Sequence, residues 1–181
     1  MFARDRRQAG QNGGASLGLG RYFIAVILLG ATFGAAPAFS QSTGAISAEC
    51  AANRIGVTTP SGRQAFSIEV ADTEALRAQG LMNRAKMSAS AGMLFIYPQP
   101  QRAQFWMANT LIPLDMIFAG PDGVILGVHE NAIPLDKSVI DGGDGVQFVL
   151  EINGGLARRM GIAAGGALHH PAISGSDCAA K

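Results

Sequence analysis

The chain has 181 residues, 48% of them hydrophobic, and a formal net charge of +1. With no basic stripe and no basic amphipathic helix, the composition points away from nucleic acid and from a membrane-surface protein. No internal repeat or second domain is visible, so the chain reads as one compact unit behind an N-terminal leader.

The leader is residues 1–40. Arg4, Arg6, Arg7 and Arg21 precede the apolar run Tyr22-Phe23-Ile24-Ala25-Val26-Ile27-Leu28-Leu29-Gly30, and Ala36-Pro37-Ala38-Phe39-Ser40 follows. A basic start, a short apolar core and small residues before a polar stretch predict a cleaved signal peptide, with the mature chain starting at Gln41 or Phe39. The run is too short, and too interrupted by Gly30, Gly34 and Pro37, for a retained span of about 20 residues. No stable membrane insertion is therefore expected after cleavage. Removing the segment lowers Lys+Arg from 14 to 10 and Asp+Glu from 13 to 12, leaving a mature net charge of −2. Such a leader implies an exported, periplasmic or secreted protein. In that setting Cys50 and Cys178, the two cysteines of the chain, are expected to form a disulfide.

Residues 41–53 are Ser-, Ala- and Gly-rich and read as a flexible tether. Residues 54–59 and 64–70 alternate apolar and polar side chains around Pro60-Ser61-Gly62, a hairpin pattern. Asp72 is placed to N-cap a short helix over 73–79, with Leu76 on its buried face and Gly80 at its left-handed end. Further strands are expected over 92–97, 103–107, 114–119, 124–130 and 146–152, with Asp122-Gly123 as a tight turn. Asn153 is the expected cap of a second short helix over 154–160, ended by Gly161, and a last strand falls at 167–169. The domain is predicted over 54–170, with a C-terminal tail at 171–181. About 7–9 short strands and two short helices make it mainly β, a compact β-sandwich or distorted barrel.

Several motifs bring a family to mind: Arg77-Ala78-Gln79-Gly80-Leu81-Met82, Gly92-Met93-Leu94-Phe95, the run from Phe105-Trp106-Met107-Ala108-Asn109-Thr110 to Pro113-Leu114-Asp115, His129-Glu130-Asn131, and a closing Val149-Leu150-Glu151 segment. Together they resemble the DUF192 (UPF0127) family of uncharacterised proteins, over about residues 54–168. The resemblance implies a mainly β fold and names no chemistry.

Candidate site residues gather around the one Trp. Strand alternation puts Phe105 and Met107 on one face and Trp106 on the other. Burying a Trp removes about 200 Å² from water, which favours Trp106 in the core; on the open face it would floor a ligand cleft. Asn109 suits a left-handed loop position, or with Thr110 could offer polar groups to a ligand. Asp115, flanked by Leu114 and Met116, needs a partner if buried, for which Arg84, Arg102 and His129 are candidates. His129 and Glu130 end a strand, and Asp115 with His129 forms the minimum for acid–base work.

No nucleophile stands in a recognised setting, and no metal or cofactor is expected. Adjacent His169 and His170 would point to opposite strand faces; Asp136, Asp141 and Asp144 lack the order of a calcium loop; the scattered methionines read as core filler rather than copper ligands. The leading expectation is an exported binding domain for a small polar or envelope-derived ligand, in a cleft formed by Trp106, Asn109, Thr110, Asp115, His129 and Glu130. The alternatives are a hydrolase using Asp115 and His129, and a module for an unknown protein partner.

Overall fold

The computed structural model describes residues 50–178. The expected signal peptide and most of the tether lie outside the described residues. Seven strands, β1 (Arg54–Thr59), β2 (Gly62–Ala71), β3 (Ala91–Phe105), β4 (Leu114–Ala119), β5 (Ile125–Ala132), β6 (Ile140–Asn153) and β7 (Ala167–His169), accompany two short helices, α1 (Glu74–Gln79) and α2 (Leu156–Met160). One sheet in the order β5-β4-β6-β3-β2-β1-β7 holds all the strands. Its pairs are antiparallel except β2 with β3. The sheet curls into a half-barrel: a bridge between Val124 and Ala167 and the bond from Ile125 N–H to the Gly166 carbonyl (2.8 Å) bring its two edges together. The mainly β expectation holds.

The curl creates two cores. Ile117 of β4 and Phe148, Leu150 and Ile152 of β6 face inward, where α2 adds Leu156 and Ala157. The alternate residues, Met116 and Phe118 of β4 and Val149 of β6, join Met93, Phe95, Phe105 and Met107 in a second core on the opposite face. Period-two alternation on the central strands, buried on both sides, dictates this division.

Three expectations are corrected. The strands expected at 92–97 and 103–107 are one strand, β3, which pairs with β6 throughout and absorbs Pro98 and Pro100 with register shifts between Ile96 and Gln104. Bulges let an edge of the ladder carry prolines that would end a regular strand. Thr73, not Asp72, caps α1, its hydroxyl accepting the Leu76 N–H at 3.2 Å, and Leu76 is exposed. Asn153 does not cap α2, whose N-cap is Gly155 with φ 77° and no side-chain cap bond of its own.

Cys50 and Cys178 are joined in a disulfide across 128 residues of chain. The C-terminal segment is less of a free tail than expected: Ile173 is fully buried in the inner core, and Asp177 pairs with Arg63 at 2.7 Å. Because the bridge ties packed segments, its opening removes a constraint on the unfolded chain. Cys178→Ser is expected to cost about 2–4 kcal/mol, read as a lowered midpoint in urea; an unchanged midpoint would show that the bridge carries no stability. Among the described residues no helix is long and apolar enough to cross a membrane.

Candidate functional site

The second core does not close completely. A cleft of about 300 Å³ opens over the β3–β6 pair. One wall is α1 and the turn after it. Gly80 ends the helix with φ 49°, its N–H bonded to the Leu76 carbonyl, and a Cβ there would stand 3.2 Å from the Phe95 ring. Glycine thus lets the wall approach the aromatic floor. Arg77 fixes the wall to the sheet: its Nη1 donates to the carbonyls of Asp72 (2.6 Å) and Ile96 (2.8 Å), and its guanidinium lies 5.3 Å from the centre of the Tyr97 ring.

The opposite wall is the loop after β3. Phe105 packs edge-on against Phe95, with centroids 5.3 Å apart, and Met107 is buried. Trp106 between them points away and is 52% exposed, so the open-face alternative holds over the core one. The burial available to a Trp lost to parity, because Phe105 and Met107 fill the core on the other side. Asn109 takes φ 60°, as its loop reading expected, and its carbonyl accepts the Asn83 N–H at 2.8 Å. Thr110 is buried and, with Trp106, lines the cleft.

At the floor sits Glu151. It occupies the central strand opposite Met93 on β3 and Met116 on β4, is 4% exposed, and lines the cleft. Its carboxyl makes no hydrogen bond among the described residues, and burial raises its pKa from 4.5 to about 8. At neutral pH it is therefore mostly a neutral acid, able to donate one hydrogen bond and accept others. Tyr97, near enough to feel both Arg77 and Glu151, is also pushed up, chiefly by burial, so its phenol stays protonated too.

The other expected site residues lie elsewhere. Asp115 is fully buried on the inner-core face, opposite to the cleft, and its partners are neither Arg84, Arg102 nor His129. Oδ1 accepts the N–H groups of Asn131 (2.8 Å) and Gly155 (2.9 Å), and Oδ2 that of Ala157 (2.7 Å). It caps α2 from β4, doing what Asn153 was expected to do. Arg84 pairs with Glu69, and Arg102 with Asp141 and Asp144. His129 is exposed on β5, and Glu130 binds Arg158 at 2.6 Å. The structure thus brings together Trp106 and Thr110, and not Asp115, His129 or Glu130. A carboxylate already holding three amides, with an exposed imidazole elsewhere, does not make an acid–base pair.

Sequence reasoning missed Glu151. The signal was present: Val149-Leu150-Glu151-Ile152 puts one acid inside a run apolar on both strand faces, so either parity buries it.

The DUF192 family model, described as an uncharacterized ACR, matches residues 56–170. Two crystal structures share the fold. A protein of unknown function from Novosphingobium aromaticivorans DSM 12444 is 43% identical with a TM-score of 0.63, over 64% of this chain and 83% of that one. A candidate transcription regulator from Sinorhizobium meliloti 1021 is 39% identical with a TM-score of 0.62, over 64% of this chain and 91% of that one. No curated protein matches the chain.

Proposed function

We propose that this chain, which belongs to the DUF192 family, is a non-catalytic binding domain that takes a small molecule into the cleft beside Trp106. One observation carries the reading: the buried Glu151 carboxyl, without a hydrogen-bond partner among the described residues, opens onto a cleft lined by Phe95, Phe105 and Trp106. Burying a polar group without a hydrogen bond costs about 1–3 kcal/mol in proteins, a cost that a ligand's polar end would offset. The size suits a small ligand with an apolar body. Trp106 and Thr110 serve as contacts from the loop, and Glu151 from the sheet. The disulfide supports a working place outside the reducing cytosol, in keeping with the leader sequence.

Trp106 is the one Trp of the chain, so its fluorescence reports on the cleft directly. A screen of polar metabolites and cell-wall fragments, read by that fluorescence and by thermal shift, is expected to yield a ligand. Trp106→Ala should abolish the thermal shift while costing less than about 1 kcal/mol of stability, well below the 3–5 kcal/mol of a core aromatic. A ligand that stabilises Trp106→Ala and the parent protein equally binds elsewhere and removes the proposal.

A protein partner is the second reading. Leu111, Ile133, Leu135 and Val139 are exposed, and the turn containing Ile133 and Leu135 is bonded to the Trp106 loop through Leu135 N–H to the Thr110 carbonyl. Exposed apolar groups beside a cleft are what a peptide would cover.

A further inference from the structure

We propose that the cleft is selective for small organic acids, with the ligand's carboxylate received by the side-chain hydroxyls of Glu151 and Tyr97 and by Arg77, and its apolar body lying against Trp106. This rests on the binding reading above and names the class of ligand.

The polar ends that a ligand could bring are not equally suited to these groups. Glu151, Tyr97 and Arg77 all line the same cleft. Glu151 and Tyr97 each have an O–H to give and the guanidinium has only N–H groups, so one group that all three can satisfy at once is an acceptor. Nη1 of Arg77 is committed to two backbone carbonyls, which orients the fork; Nη2 and Nε make no hydrogen bond among the described residues. A carboxylate is the acceptor that suits such a fork, and charge-assisted bonds are the stronger kind. An ammonium ligand fits less well. The ring of Tyr97 already carries the Arg77 guanidinium, and a second cation would meet its charge.

The charged and titratable groups around Glu151 are few. α1 contributes Arg77 and, at the rim, the exposed Glu74; β3 contributes Tyr97; β4 presents Met116 and β3 also Met93, neither of which titrates. Glu74 is solvated and its repulsion is screened by salt. Glu151 is then the group that changes state in the accessible range, losing its proton near pH 8. The ionised form would present a second carboxylate to the ligand's own.

Benzoate, benzylamine and benzamide, three one-ring probes differing in the polar end, separate the possibilities when titrated into the oxidised protein at pH 6 and pH 9 by Trp106 fluorescence. Benzoate is expected to bind tightest at pH 6 and to weaken about tenfold at pH 9, the loss set by the fraction of Glu151 still protonated one unit above its pKa. Glu151→Gln keeps an N–H donor and cannot ionise, so its benzoate affinity should be the same at both pH values. Benzylamine binding tighter than benzoate, and tightening toward pH 9, would overturn the acid selectivity and leave the cleft a ligand site. Benzoate binding that is equal at both pH values in the parent protein would overturn the role of Glu151. Failure of all three probes overturns the selectivity as well, and the wider screen then decides whether the cleft binds any small molecule.

Discussion

Asp115→Ala should remove a large share of the stability of the fold. The carboxylate is fully buried and accepts three backbone N–H groups, from Asn131, Gly155 and Ala157. Its removal strands three amides, that of Ala157 buried and those of Asn131 and Gly155 partly so, at up to about 1–3 kcal/mol each, so a total in the lower half of about 3–9 kcal/mol is expected. That is comparable with the 5–15 kcal/mol by which a domain of this size is stable. The damage is also topological, since these bonds tie the end of β5 and the start of α2 to β4. α2 is five residues long and cannot persist without them. Asp115→Asn keeps one acceptor oxygen and places an N–H₂ group against a backbone donor, so an intermediate loss is expected. Urea melts followed by circular dichroism measure both. A loss below about 1 kcal/mol for Asp115→Ala would mean that other groups satisfy these amides.

The second large effect is a dependence of stability on pH that runs opposite to ordinary acid denaturation. Glu151 has a pKa of about 8 folded against 4.5 for an unperturbed glutamate. Between those values the folded protein keeps a proton that the unfolded chain has released. The stabilisation is fully present below the unfolded value and is lost as pH rises from there through the folded one, by about 1.4 kcal/mol per unit and on the order of 5 kcal/mol in all. His170 works the other way: burial lowers its pKa, so the folded state gains stability as pH rises toward 6.5. The carboxylates Glu69, Asp136, Asp141 and Asp177, with pKa values lowered by their partners, act only below the normal carboxylate range. The difference between parent and Glu151→Gln isolates the glutamate. From pH 5 to pH 8 the parent should lose stability relative to the variant. A difference that stays flat across that window would show that Glu151 ionises as it does in water. Glu151→Leu, which fills the site with an apolar group and leaves no unpartnered carboxyl, is expected to be at least as stable as the parent and to bind no ligand in the cleft.

Much of the fold is legible locally. β1, β4 and β7 fall where alternation and turn residues put them, and Asp122-Gly123 turns the chain as expected, with Gly123 at φ 81°. Those signals lie within a few residues of one another. What local pattern could not supply is long-range. Asp115 reaches α2 across some 40 residues of chain, and no spacing rule announces a cap delivered from another strand. The expected partners were charged side chains, whereas a buried carboxylate is satisfied as well by backbone amides, which have no sequence signature. The division of Trp106 from Phe105 and Met107 was legible as a parity, and the parity alone could not say which side was covered. Glu151 could have been read, because an acid between Leu150 and Ile152 in a doubly buried strand must either find a partner or stay neutral.

The decisive property is the state of Glu151, a neutral acid at the floor of an accessible cleft. Carbon-detected NMR of protein labelled at the glutamate side-chain carboxyls, with Glu151→Gln to assign the signal, follows its proton directly. A midpoint near pH 8 is predicted for the free protein; a midpoint near 4.5, the value of a solvated glutamate, would contradict the account.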